Sequence, residues 1–161
     1  MTATLLSACP LLRAAFLRCH YDADSLLEAL GDAAHAALGR GEPAPVRMAS
    51  RDLGELGTLV RLFLLVDDVD VRDAAAALAP LSIDDAVDAT IVTRSGPDVV
   101  RALVDIRPLD TGSGTRWVVS DLDGSMRPAA TAPDHVLGVG QASLSLLRGT
   151  PTTPAEHVLD V

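Results

Sequence analysis

Apolar residues recur at helical spacing over two early stretches, 10–20 and 24–38, and in the second Leu26, Leu27, Leu30, Ala34 and Ala37 share one side. Gly39 and Gly41 end that run. A third stripe, Leu53, Leu56, Val60, Phe63 and Leu64, predicts the strongest helix over 51–66. Ser50 and Asp52 are placed to cap it and to favour its positive end. Short helices are predicted at 71–78, stopping before Pro80, and at 82–89, where Ser82 and Asp85 form a capping-box pattern.

The period then changes. Residues 90–93 read as a short strand, Ser95-Gly96-Pro97 as a turn, 99–107 as a longer alternating strand and 116–120 as a third. Two short helices joined by a tight turn and followed by a hairpin make the pattern of a winged helix, with 82–89 in the recognition-helix position and 110–115 at a loop tip. Residues 124–133 form a polar connector containing proline, 139–147 a helix, 148–154 a second connector, and 156–161 open a new strand. The expected fold class is therefore α+β. A helical domain with winged-helix-like helices and a small antiparallel hairpin sheet spans 1–123, a connector with a short helix spans 124–154, and 155–161 begin a Rossmann-like domain absent from the chain.

At 161 residues the chain has the size of one ordinary domain. The only aromatics are Phe16, Tyr21, Phe63 and Trp117, so the core is expected to be built from Leu, Val and Ala. Every basic residue is Arg, and the net charge is −9. Asp67, Asp68, Asp70, Asp73, Asp84, Asp85 and Asp88 meet only Arg72 within their own stretch, and a surface of that sign repels phosphate and disfavours direct DNA binding. Cys9 and Cys19 match neither a disulfide scaffold nor a zinc site, and are expected to be buried free thiols of a cytoplasmic protein. Leu6-Ser7-Ala8-Cys9 is similar to a lipoprotein cleavage box but lacks the charged and apolar segments of a signal peptide, and no stretch has the length of a membrane span.

Four strings carry possible chemistry. Asp121-Leu122-Asp123-Gly124, after Trp117-Val118-Val119-Ser120, resembles the nucleophile motif of the haloacid dehalogenase phosphatases, in which the first Asp attacks phosphorus beside magnesium. That fold also requires a Lys and a long α/β segment afterwards, so a strand end and turn is the favoured reading. Asp110-Thr111-Gly112-Ser113-Gly114 suggests an aspartic-protease carboxylate or a glycine-rich nucleotide loop, but strands on both sides favour a hairpin loop. His20, His35, His135 and His157 show no helical metal-site spacing, so no metal ligand is assigned. Ser120, Asp121 and His135 form a nominal nucleophile set without the surrounding glycine pattern. The terminal His157-Val158-Leu159-Asp160-Val161 reads as the first strand of a nucleotide-binding α/β domain leading into its glycine loop.

Taken in order, these pieces resemble the N-terminal region of actinobacterial class I S-adenosylmethionine-dependent methyltransferases of the HemK-like and small-methyltransferase type. The resemblance rests on the segments 51–63, 100–108 and 117–123, on His135-Val136-Leu137-Gly138-Val139-Gly140 with Ala142-Ser143-Leu144, and on Val158-Leu159-Asp160-Val161. It implies a truncated, non-catalytic substrate-recognition or docking domain. Its catalytic partner domain would carry the Gly-x-Gly-x-Gly loop and an Asn-Pro-Pro-aromatic motif and would act on a protein glutamine or an RNA amino group. The resemblance assigns no catalytic residue to this chain. Gly138, Gly140, Ser143 and Asp160 become neighbours of S-adenosylmethionine only in a longer protein, and this chain alone is expected to bind no cofactor. The alternatives are a free-standing winged-helix DNA-binding regulator, disfavoured by Asp84, Asp85 and Asp88 in the recognition helix, and the phosphatase built on Asp121 and Asp123.

Overall fold

The computed structural model of the chain describes residues 4–111, 114–122, 133–151, 153 and 157. It is an α+β fold, with helices α1 (Leu5–Arg18), α2 (Ala23–Gly39), α3 (Pro43–Ala49) and α4 (Gly54–Leu59), the last continuing into a π-helical turn, Val60–Leu64. Strand β1 (Val69–Asp70), α5 (Val71–Leu78), α6 (Ile83–Asp88), β2 (Val92–Arg94) and β3 (Val99–Ala102) follow, then β4 (Val104–Asp110), β5 (Thr115–Asp121) and α7 (Gln141–Gly149).

Local chemistry sets most of these boundaries. Thr4 and Ser7 form a reciprocal capping box that starts α1 ahead of the predicted residue 10. Leu6-Ser7-Ala8-Cys9 is consequently helical, and Cys9 is exposed instead of buried, whereas Cys19 is buried as expected. Asp22 caps α2, and Ser82 caps α6 by accepting the Asp85 amide at 3.1 Å. Helix α2 bends at Gly31, whose φ of 72° is open to glycine at little cost.

Strands β1, β3 and β2 form one antiparallel sheet in the order β1-β3-β2. Helix, strand, two helices and a hairpin whose last strand lies between the other two give the connectivity expected of a winged helix. The hairpin that closes this unit turns at residues 95–98, whereas the loop at 110–115 belongs to a second, separate hairpin, β4–β5.

Three sequence expectations are corrected. Ser50 does not cap a helix over 51–66. It ends α3, a helix the sequence reading missed, and its hydroxyl donates back to the Arg47 carbonyl at 3.2 Å, while α4 starts at Gly54 with no side-chain cap. The rod then widens because residues 62–66 are all buried, and no α-helical period keeps five successive side chains in a core. The predicted strand 99–107 is two strands, since Leu103 is the exposed crossing at which the chain leaves β2 for β5. Thr90 has a φ of 57° and stands outside any strand, so β2 begins only at Val92. The predicted strand 156–161 and the polar stretch 124–132 lie outside the described residues, apart from His157.

The core is largely aliphatic, but the aromatics play a part that composition does not reveal. Phe16 lies 4.9 Å from Tyr21, 5.8 Å from Phe63 and 5.6 Å from Trp117, centroid to centroid, so every aromatic ring of the chain meets at one helix. The Tyr21 hydroxyl donates to the Ile106 carbonyl at 2.7 Å, and Trp117 Nε1 donates to the Tyr21 carbonyl at 2.7 Å. These two bonds fasten β4–β5 to the turn between α1 and α2. The Arg13 guanidinium covers the outer face of Trp117 at 5.9 Å.

A cavity between the kinked helix and the second hairpin

In β5 the side chains alternate between faces, which puts Val118 and Ser120 together. Antiparallel register sets Ser120 opposite Asp105 and Val118 opposite Arg107, so those four residues share one face of the hairpin. Opposite that face lies α2. Between them is a cavity of about 240 Å3 whose walls include Leu26, Leu38, Leu64, Leu109, Val118 and Leu144. Among the described residues its polar lining side chains are His35, Arg107 and Ser120.

Arg107 is held in place by Asp105. Its Nε lies 3.0 Å from both carboxylate oxygens and its Nη2 2.8 Å from Oδ2, with Asp105 only 5 % exposed. Such a charge-assisted fork fixes the plane of the guanidinium. Burial pushes the Tyr21 hydroxyl well above its ordinary pKa, with Asp105 adding to the shift and Arg107 opposing it, so the phenol stays a hydrogen-bond donor.

The segment that follows β5 closes one side of the cavity. The Asp121 amide donates to the Val136 carbonyl at 3.1 Å, and the Val136 amide donates to Asp121 Oδ2 at 2.7 Å. Gly138 then passes over Ser120, and a Cβ at Gly138 would lie 3.0 Å from the Ser120 hydroxyl oxygen. Asp121, singled out as a phosphatase-type nucleophile, thus holds a strap, and its supposed partner Asp123 lies outside the described residues. His135 Nδ1 stands 3.8 Å from Asp121 Oδ2, but no hydrogen bond joins Ser120 to His135 among the described residues.

Of the predicted cofactor neighbours, Gly138 lines the cavity, Gly140 is exposed with open space around it, Ser143 is exposed on α7, and Asp160 lies outside the described residues. Thr111, in the protease-like string, donates its hydroxyl to the Gly114 carbonyl at 2.9 Å across the tip of β4–β5. His20 and His35 are exposed and far apart in sequence, and among the described residues no group of three or more His, Cys, Asp or Glu could hold a metal ion. No helix among them is long and apolar enough to cross a membrane.

The acidic stretch is partly neutralised from outside itself. Arg47 forks onto Asp67 at 2.7 and 2.8 Å, Arg101 reaches Asp68 at 2.6 Å, and Arg94 reaches Asp84 at 2.7 Å. The sequence reading missed the cavity itself, because its walls come from α2, the π-helical turn, β4, β5 and the strap. The one available signal was the period-two pairing of Val118 with Ser120.

A family described as a domain of unknown function, DUF7059, matches residues 18–103. The chain belongs to this family. The matched region ends at Leu103, the crossing between the two sheets, and so takes in α2 and the winged-helix-like unit but not β4–β5 or the strap. No curated protein matches the chain, and no solved structure does.

Proposed function

We propose that the chain is the non-catalytic front domain of a class I S-adenosylmethionine-dependent methyltransferase, and that the strap and α7 are the seat of its catalytic domain. The observation that carries this reading is a set of uncovered apolar side chains in the strap and α7. Leu137 is 78 % and Leu146 73 % exposed, with Val136 and Val139 exposed beside them. Large apolar side chains left exposed in one short segment fit a surface that meets another surface. The ordered motifs that resemble the methyltransferase N-terminal region run through the same strap, at Gly138, Gly140 and Ser143, and towards Asp160. The acceptor in this reading is an amino group of a protein glutamine or of RNA.

The test is to translate the reading frame past Val161 and to titrate both polypeptides with S-adenosylmethionine by calorimetry. A Gly-x-Gly-x-Gly loop, an Asn-Pro-Pro-aromatic motif and saturable binding by the longer polypeptide are expected, with a flat titration for this chain. Saturable binding by this chain alone sinks the reading.

The winged-helix connectivity gives a second reading, a DNA-binding regulator. Its recognition position is filled by α6, whose Asp84 and Asp88 are exposed and whose Asp85 is half-buried. Such a helix approaches phosphate against its own charge. Anisotropy titration with mixed-sequence duplex DNA at physiological salt should show negligible binding, and micromolar, salt-sensitive binding would favour the regulator.

A further inference from the structure

We infer that the cavity between α2 and β4–β5 binds a small uncharged molecule with an apolar body and one hydroxyl or carbonyl oxygen, and that Ser120 is its anchor. This site is independent of any docking role of the strap. Ser120 is only 7 % exposed, yet among the described residues its hydroxyl has no hydrogen-bond partner. Buried hydroxyls are nearly always paired, so an orphaned one calls for a partner that the chain itself does not supply. Alternation along β5 puts Ser120 on the same face as Val118, and both residues line the cavity.

Gly138 is the second, independent sign. It passes over Ser120 with a φ outside the left-handed region, so its backbone conformation does not require glycine. A side chain there would instead crowd the hydroxyl, since its Cβ would lie 3.0 Å from the Ser120 oxygen. Bare backbone at 138, itself part of the lining, leaves that oxygen uncovered.

The walls define the rest of the ligand. A cavity of about 150 Å3 accepts a benzene ring, so the 240 Å3 here suits a body of roughly ten non-hydrogen atoms or fewer. Leu26, Leu38, Leu109 and Val118 offer it aliphatic contacts, and apolar walls with a few polar groups are the usual make-up of a ligand site. Asp105 occupies the Arg107 fork, so that pair brings no net charge to the wall, and His35 is exposed, where solvent and salt screen it. A charged headgroup would lose its water here without gaining a free, buried counter-ion among the described lining side chains. A neutral oxygen needs only the Ser120 hydroxyl, which can donate or accept.

The experiment is a methyl-resolved NMR titration of the whole chain with phenol and with toluene, which match in size and differ by the hydroxyl. Benzoate and benzylamine serve as charged counterparts. Phenol and toluene should both shift the methyls of Leu26, Leu109 and Val118 saturably, at the about millimolar strength expected for about seven non-hydrogen atoms. Ser120→Ala should weaken phenol about fivefold and leave toluene unchanged. Because the hydroxyl it removes has no partner in the fold, that variant should also be no less stable than the parent in urea. Gly138→Ala, at an exposed position, should weaken phenol more than toluene. Benzoate and benzylamine should each bind at least about tenfold more weakly than phenol.

Equal effects of Ser120→Ala on phenol and toluene, a destabilised Ser120→Ala chain, or benzoate binding as tightly as phenol would overturn the assignment. So would the absence of saturable shifts with both neutral probes, which would mean that the cavity holds water alone. Shifts confined to Leu137 of the strap and Leu146 of α7 would overturn it too, while leaving the docking surface untouched, so the two readings fail separately.

Discussion

Replacing Gly57 with alanine should destabilise the chain by about 2 kcal/mol, although alanine is the better helix former by about 1 kcal/mol. Gly57 is buried in α4, where the rod crosses the end of α3. A Cβ there would lie 2.1 Å from the Ser50 carbonyl oxygen and 3.1 Å from the Leu53 Cβ. Real Cβ atoms essentially never come within 3.0 Å of another heavy atom, so the two backbones must separate by close to an ångström. Ser50 cannot easily give way. Its side chain is fully buried, its amide donates to the Val46 carbonyl at 2.9 Å and its own carbonyl accepts the Leu53 amide at 3.5 Å. Overpacking of this kind costs about 1 to 3 kcal/mol, and a backbone obstacle belongs at the upper end, which after the propensity gain leaves the net loss of about 2. For a chain of this size that is a fall of roughly 4 to 8 °C in Tm.

The assay is urea and thermal unfolding followed by far-ultraviolet circular dichroism, with Gly39→Ala as the control. Gly39 ends α2 with open space around its Cβ position, so the same substitution there should be neutral or slightly stabilising. Equal effects of the two substitutions, or a Gly57→Ala variant as stable as the parent, would refute the close-approach argument. A displaced α4 would also move Leu64, a wall of the cavity.

Two further predictions follow from buried groups. Tyr21→Phe should cost about 1 to 2 kcal/mol by depriving the Ile106 carbonyl of its 2.7 Å donor, read as a lower urea midpoint at unchanged slope; no change would mean that the bond contributes nothing net. Cys19 is pushed up to about 11 from 9.0, chiefly by burial and then by its hydrogen bond to Glu55, so its neutral form stabilises the fold fully below pH 9 and that contribution is lost as pH rises towards 11. The alkaline loss from this group is about 2 to 3 kcal/mol, and Cys19→Ala should remove it; parallel stability profiles for the two proteins between pH 9 and 11 would contradict the linkage.

Where the sequence reading succeeded, the signal was local. Ser82 is a cap whose partner lies three residues away, and the acid-rich 82–89 helix is recognisable from a single turn. It failed where a residue's role is decided from afar. Ser50 has the composition of an N-cap, but its hydroxyl donates back into α3 and its carbonyl accepts the Leu53 amide. Val100, Ala102, Val104 and Ile106 alternate like one strand, and only the change of partner from β2 to β5 shows the break at Leu103. The cavity combines residues from 23 to 144, so no window of sequence contains it. Gly138 was singled out for a cofactor through the resemblance, and what the fold brings to it is Ser120.

The family match stops at Leu103, yet the fold does not divide there, and a shortened chain tests this. Phe16 and Tyr21 lie inside the matched region or two residues before it, and both are at most 2 % exposed. Part of their cover comes from Trp117 at 5.6 Å and from the β4 backbone, which accepts the Tyr21 hydroxyl. Removing everything after Leu103 would uncover the Phe16 and Tyr21 rings, delete Ile106 and Trp117 from the core, and strip the outer wall from Leu64. At about 1.5 to 3 kcal/mol for each large side chain taken from burial to water, the loss over four such residues is of order 6 to 12 kcal/mol. That is comparable to the whole stability of a domain, about 5 to 15 kcal/mol. A fragment ending at Leu103 should therefore keep far-ultraviolet helical signal but lose its sharp thermal transition and the dispersion of its methyl resonances. A cooperative transition at the midpoint of the intact chain would show that β4–β5 is an appendage, and that the aromatic cluster contributes far less than its burial indicates.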